Sequence, residues 1–238
     1  MTTTTPPPLT PWRARLDATL EKSRSVRGVT FVQLATCERD GAPRPRVRTV
    51  VFRGFATPPA RGDHVDDADA YAFEDALTFC TDARSRKVAE SLECEVCWWI
   101  SHTSEQYRIA GELRYVGPAD ASAARRALRD AQWAALSDRA RAAFRSPHAP
   151  REPVGPVEDD VKTLAEHPAL VAGDDTAARF IPVGDPPDVF LLVMIEPSQC
   201  DYLRLTDNYR QIDTLVVDDA AEHGGARRRR WVSEHVHP

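Results

Sequence analysis

The longest apolar run in the chain, Val189 to Ile195, falls well short of the roughly 18 residues a helix needs to cross a bilayer, so no membrane-spanning helix is expected. The N-terminal Met-Thr-Thr-Thr-Thr-Pro-Pro-Pro lacks both the positive n-region and the apolar h-region of a secretory signal. Residues 1–10 therefore read as a disordered tail on a cytoplasmic protein. Cysteine is scarce and odd in number: five residues scattered at Cys37, Cys80, Cys94, Cys97 and Cys200, which is no disulfide framework. Basic residues are not in excess either. Thirty-one Lys+Arg stand against thirty-six Asp+Glu, a net charge of -5, which disfavours long-range attraction to nucleic acid or an anionic membrane. Any cationic site must be local.

Familiar enzyme signatures are also missing. There is no G-x-G-x-x-G after a strand, no G-x-x-x-x-G-K-[ST], no G-x-S-x-G and no H-E-x-x-H. Cys94-Glu95-Val96-Cys97 matches C-x-x-C, but on a strand positions three apart face opposite ways, and no second pair completes a metal site. His235 and His237 lack a third ligand, so no metal is expected. Arg227 to Arg230 would alternate faces on a strand, which suits solvation or an ion-paired edge better than nucleic acid.

What the sequence does contain is a succession of short β-like segments. With 238 residues and 42% hydrophobic content the chain can bury one sizeable core, and residues 11–238 are expected to form a single domain. Thr10-Pro11 suggests a helix start, with Trp12, Leu16 and Leu20 on one face and Gly28 as its end. Strands are expected over 30–37, 46–55, 76–81, 93–100 and 106–116, then 188–195, 199–205, 209–217 and 227–236. In the fifth, Tyr107, Ile109, Leu113 and Tyr115 share one face, and Gln106, Arg108, Glu112 and Arg114 the other. The 188–195 segment is apolar on both faces and reads as a central strand. Residues 119–145 suggest a helical hairpin, with Ser137-Asp138 as a cap between its halves. An Asp-rich segment over 56–72 and a Pro-rich stretch over about 146–180 read as loop insertions.

Two basic, hydroxyl-flanked segments stand out. One is Arg48-Thr49-Val50-Val51-Phe52-Arg53 on a strand; the other is Thr81-Asp82-Ala83-Arg84-Ser85-Arg86-Lys87 at a strand-to-helix junction. A helix over 85–92 would present free N–H groups and a positive dipole end, to which Ser85, Arg86 and Lys87 add donors and charge. Arg48 could close over the same dianion. The bland alternative is a solvated helix start.

The strings RTVVFRGF (48–55), FCTDARSRK (79–87) and EQYRIAGEL (105–113) resemble successive signature strands of the pyridoxamine 5'-phosphate oxidase-like FMN-binding split barrels. PWRARL, WAALSDRARAAF and WVSEHVHP resemble one subgroup of that family. The resemblance runs from Pro11 to Pro238, apart from the loops. It implies a mainly β fold with peripheral helices (α+β), an FMN-binding split β-barrel, and a homodimer with flavin at its interface. It further implies that Arg48, Ser85, Arg86 and Lys87, helped by Thr81, hold the FMN phosphate. Val50, Val51 and Arg53 would line the flavin, Gln106 would meet its ring, and Trp231 would reach it from the partner subunit. A family arginine near the C-terminus has no counterpart in the VSEHVHP that follows Arg230-Trp231.

The implied activity is two-electron flavin chemistry on a small molecule, with no catalytic residue assigned. A non-catalytic flavin carrier or sensor is the alternative, and haem binding by a related split barrel a weaker one. The helical region ASAARRALRDAQWAALSDRARAAF lacks the tyrosine-containing grip for pyridoxamine 5'-phosphate, so that substrate is not expected.

Overall fold

The computed structural model of the chain describes residues 9–57, 73, 75–145, 183–218 and 228–238. Most of the expected N-terminal tail, Asp-rich loop and Pro-rich insertion lies outside them, as does Arg227.

Helix α1 spans Pro11–Ser23. It stops five residues before Gly28, which instead takes a left-handed turn (φ 80°) before β1. Thr10 sits at the N-cap without a capping bond; its hydroxyl donates to Asp75 Oδ2 at 2.7 Å. The strands are β1 (Phe31–Cys37), β2 (Pro45–Val51), β3 (Leu77–Asp82), β4 (Glu93–Ile100), β5 (Glu105–Val116), β6 (Phe190–Arg204), β7 (Tyr209–Asp218) and β8 (Arg228–Val236). Two helices, α2 (Ala123–Ala135) and α3 (Asp138–Phe144), form the expected hairpin. Ser122 and Ser137 cap them by accepting from the amides of Arg125 and Ala140, each cap contributing about 1 kcal/mol.

All eight strands join one antiparallel sheet in the order β2-β1-β4-β5-β6-β7-β8, with β3 also paired to β6. The two segments expected at 188–195 and 199–205 are a single 15-residue strand, β6. One edge of β6 pairs with β5 along most of its length, while the other changes partner. Its first half takes β3 (Leu77↔Ile195) and its second half takes β7 (Gln199↔Thr214). Pro197 lies at the changeover, opposite the irregularity at Ala110/Gly111. A side chain at Gly111 would place its Cβ 2.3 Å from the Glu196 carbonyl oxygen, so the close approach there requires glycine.

The ring closes through the chain beyond β2. Arg53 N–H donates to Thr78 O at 2.9 Å and Thr78 N–H to Gly54 O at 2.9 Å, with Phe55 bridging Leu77. On the N-terminal side of Arg53, β2 and β3 are not paired, and that divergence is the split in the barrel.

Inside lie Leu34, Phe52, Phe79, Val96, Trp98, Ile109 and Ile195, with Phe52 edge-on to Trp98 at 4.8 Å. Burying such side chains, each worth about 1.5–3 kcal/mol, dominates the fold's stability. Leu192 and Met194 point the other way, towards Val116 and Leu128 of α2, and Phe190 meets Trp133. The helical hairpin covers the outer face of β6, which is why that strand is apolar on both sides. The two Trp residues of β4 divide as alternation demands: Trp98 is fully buried and Trp99 is 44% exposed.

Candidate functional site

The wedge between β2 and the segment after β3 is a cleft of about 300 Å³ lined by Arg46, Val47, Arg48, Ser85, Arg86, Lys87 and Glu90. Strand pairing explains which β2 side chains enter it. Arg48 lies opposite Leu34 and Arg46 opposite Thr36, so both arginines share the face of these buried β1 residues.

Arg48 is held from one end. Its Nη1 donates to Leu34 O at 3.3 Å and to the Thr36 hydroxyl, while Nη2 bonds the Glu90 carboxylate, which also accepts from Thr36. Glu90 is 5% exposed and serves as the buried counterion. The Nε–H of Arg48 makes no hydrogen bond to another described residue, leaving a Nε/Nη2 edge suited to bidentate binding of a phosphate.

Lys87 is held differently. Its Nζ donates to Thr81 Oγ1 at 2.9 Å and Ser85 Oγ at 2.6 Å, and it makes no ion pair among the described residues. Burial, and then the charge of Arg48, lower its pKa, against the pull of Glu90 and Asp82. A desolvated ammonium answered by two hydroxyls favours an anionic ligand.

Residues 85–92 do not form the expected α-helix. A single 3-10 turn, Arg86–Ala89, is present; Ser85 precedes it without a side-chain capping bond, and Glu90 returns to extended backbone. Tyr115 OH donates to Lys87 O at 3.0 Å, tying the turn to β5. The cradle's cationic character thus comes from side chains rather than from a helix dipole, which one turn scarcely develops.

At the mouth, Arg46 from β2 and Arg86 from the turn both bond Oε1 of Glu38, Arg46 Nη2 at 2.6 Å. Arg46, then Arg86 and Arg44, hold the Glu38 carboxyl below its usual pKa range. Glu38, Arg46, Glu90, Thr36 and Tyr115 were not marked by the sequence. They come from β1, β2, β5 and two connecting segments, and only the glutamates' proximity to basic segments hinted at them.

The structure therefore brings together Arg48, Thr81, Ser85, Arg86 and Lys87. Val50, Val51 and Arg53 continue along the chain from Arg48: Val50 packs against the core, and Arg53 is exposed beside the Cys80 thiol, which burial raises to about 12. Gln106 and Trp231 do not line the cleft. Gln106 is half-buried on the outer face of β5, opposite Trp99 and Leu203. Trp231 is half-buried on β8 against Trp12, ring centroids 5.8 Å apart. Cys94 and Cys97 face opposite ways, and the described residues hold no cluster of three metal-ligating side chains.

A family model, the pyridoxamine 5'-phosphate oxidase FMN-binding domain, matches residues 9–117, the segment that supplies every residue lining the cleft. The chain has the fold of the pyridoxamine 5'-phosphate oxidase-like FMN-binding split barrels, and its residues 9–117 match that family's FMN-binding domain. Its cofactor is FMN, and the donor set of the cleft fits that cofactor's phosphate.

Relatives extend the likeness along the whole chain. Pyridoxine/pyridoxamine 5'-phosphate oxidase 2 of Arabidopsis thaliana is 28% identical over 231 residues, 96% of this chain and 97% of the relative. A pyridoxamine 5'-phosphate oxidase-related, FMN-binding protein of Nostoc punctiforme is 29% identical with a TM-score of 0.66, covering 98% of this chain and 100% of that one. PhzG of Burkholderia lata 383, solved with tetrahydrophenazine-1-carboxylic acid, shares the fold at 20% identity and a TM-score of 0.60, covering 100% and 99%.

Proposed function

We propose that this split barrel is an FMN-dependent oxidoreductase that exchanges two electrons with a small organic molecule. The carrying observation is the Lys87 ammonium, desolvated and, among the described residues, held by the hydroxyls of Thr81 and Ser85, beside the open edge of Arg48. FMN supplies the redox-active ring. The chain's residues bind and orient it: Lys87 and Arg48 take the phosphate charge, the two hydroxyls fix the ammonium, and Glu90 with Thr36 orient Arg48. Arg86 joins the phosphate contact by leaving Glu38. Val50 and Val51 of β2 and Arg53 just beyond it line the flavin, and Gln106 meets the polar edge of its ring.

A second copy of the chain completes the site and contributes Trp231. In support, Phe31, Val47 and Trp99 expose apolar surface on one outer face of β2, β1 and β4, an arrangement that suits a protein interface. Arg129 and Arg141 of the helical hairpin do not grip the substrate, because both are occupied within the fold. Arg129 donates to Phe190 O and Pro187 O, and Arg141 to Leu136 O and Asp138. Pyridoxamine 5'-phosphate is accordingly a poor substrate, and a neutral or cationic reductant is preferred.

The visible absorbance of the purified protein provides the first test, with flavin bands expected and a Soret band or a colourless protein that takes up no FMN overturning the reading. Peroxide release then tests the substrate: turnover of pyridoxamine 5'-phosphate at about 1 s⁻¹ or faster would overturn that part. Bound flavin that no reductant turns over would make the protein a carrier instead. Light scattering giving the mass of one chain in the FMN-bound form would exclude the dimer.

A further inference from the structure

The two glutamates of the cleft hold their arginines in different ways. Glu90 is buried and takes Arg48 through Nη2, so that guanidinium is fixed while its Nε edge stays open among the described residues. Glu38 sits at the mouth, where a single oxygen, Oε1, receives both Arg46 and Arg86. Arg46 reaches it twice, from Nε at 2.8 Å and Nη2 at 2.6 Å, whereas Arg86 reaches it once, from Nη2. The backbone around Glu38 is fixed. Its N–H donates to Arg44 O at 2.9 Å across the β1–β2 hairpin, and neighbouring Cys37 donates to Ser91 Oγ at 2.9 Å and accepts from the Ser91 N–H at 2.8 Å. Arg86, by contrast, carries a half-exposed side chain on the single turn after β3. Of the three groups at the mouth, Arg86 is the one free to swing.

We propose that Glu38 is a built-in competitor for the flavin phosphate: in the empty cleft it occupies the Arg86 guanidinium, and the incoming phosphate must take that guanidinium from it. This rests on the reading that Arg86 joins Lys87 and Arg48 at the phosphate. Arg48 is set deeper than Arg86, 21% against 53% exposed, so Arg86 has to turn inward from the Glu38 bridge to reach a phosphate held there. Carboxylate and phosphate are both anions that draw on the one guanidinium. Arg46 stays on Glu38 after the exchange and offsets its charge; Arg46, ahead of Arg86 and Arg44, is what holds that carboxyl below its usual range. Glu38 therefore lowers FMN affinity by the strength of one exposed ion pair, while Glu90 raises it by orienting Arg48.

The test titrates the flavin-stripped, full-length protein with FMN, following flavin fluorescence, in the wild type, Glu38→Gln, Arg86→Ala and the double variant. Glu38→Gln is expected to tighten FMN about threefold, the worth of an exposed ion pair. Arg86→Ala is expected to weaken it about tenfold, the loss of one charge-assisted bond. In the double variant the glutamine should change nothing relative to Arg86→Ala, because the competition acts through Arg86. Tightening that persists undiminished without Arg86 would reduce Glu38 to a general repulsion of the dianion and overturn the competitor. So would FMN binding that is unchanged or weaker in Glu38→Gln. In either case a tenfold loss in Arg86→Ala leaves the phosphate site standing, whereas full FMN affinity in folded Arg86→Ala would remove both readings together. Should the Glu38 variant not fold, the wild type still decides. Its Glu38 carboxyl, followed by carbon-13 NMR, should titrate at a higher pH with FMN bound than without, having lost Arg86, and an unchanged titration overturns the proposal.

Discussion

Two arginine-carboxylate networks in this molecule look alike on paper and do opposite things. Beneath α1, Arg15 donates to Gln211 Oε1 at 2.9 Å and faces Asp213 Oδ2 at 3.6 Å. Asp213 is fully buried and accepts from Gln211 and Ser233, while Tyr209 OH donates to Gln211 at 2.6 Å. The two opposite charges face each other inside the fold as an ion pair, though among the described residues Arg15 Nη1 and Asp213 Oδ2 make no hydrogen bond, and the network docks α1 onto β7 and β8. In the cleft, among the described residues, Arg48 is anchored by Thr36 and Glu90 but keeps an open edge, and Lys87 is met by two hydroxyls and no carboxylate. Surplus donors at an opening mark a ligand site; balanced charges under a helix mark structure.

The largest effect should come from breaking the sealed network. Asp213→Ala leaves Arg15 without its carboxylate and should lower stability by about 3 kcal/mol in urea denaturation. The FMN affinity of the protein that remains folded should not change. If flavin binding falls while stability holds, the division between the two networks is wrong.

The complementary experiment opens the cleft. Arg86→Ala combined with Lys87→Ala should lose most FMN binding, about 1.5–3 kcal/mol for each charge-assisted bond, as measured by fluorescence titration. The urea midpoint of the flavin-free protein should barely move, because neither side chain is answered by a carboxylate deep in the core. Unchanged FMN affinity in the folded double variant would sink the cradle assignment.

A pH titration sharpens the comparison further. Burial, and then Arg48, place the Lys87 pKa below its ordinary value. Between the lowered folded value and the ordinary unfolded one, the unfolded chain binds more protons. The stability of the flavin-free protein should therefore rise with pH across that window. A phosphate beside Lys87 raises its folded pKa, so FMN affinity should fall as pH rises through the same window. Lys87→Arg should flatten both slopes, since arginine stays charged throughout.

The smallest effect belongs to the surface. Arg114 pairs with Glu196 at 2.7 Å on the outer face of the sheet, where solvent screens the pair. Arg114→Ala should change stability by about 0.5 kcal/mol or less and leave flavin binding untouched. A larger loss would mean that the face is not simply solvated.

Much of this organisation was legible in the sequence. Alternation placed β4 at Glu93–Ile100 and the buried face of β5, and Ser137 was recognised as the cap between the two hairpin helices. Basic segments at 48–53 and 81–87 pointed to the cradle. Residues 85–92 were less readable: their composition suits a helix, yet Glu90 is drawn into extended backbone with its carboxylate on Arg48, and one turn is all that forms. The continuous β6 was also hidden, because Pro197 and the polar residues around it resemble a break. Glycine at position 111 and the switch from β3 to β7 allow the strand to pass through that point.

Composition and residue periodicity determined that this chain builds a succession of strands interrupted by a helical hairpin, because alternation and capping act between near neighbours in sequence. They also marked which basic residues stand close along the chain. Tertiary structure alone decided which cations were neutralised and which were left for a ligand. That outcome depends on where β2 and β3 part, and on Glu38 and Glu90 reaching Arg46, Arg86 and Arg48 across that gap. Coulomb energy and desolvation depend on distance in space, and separation along the chain does not specify it.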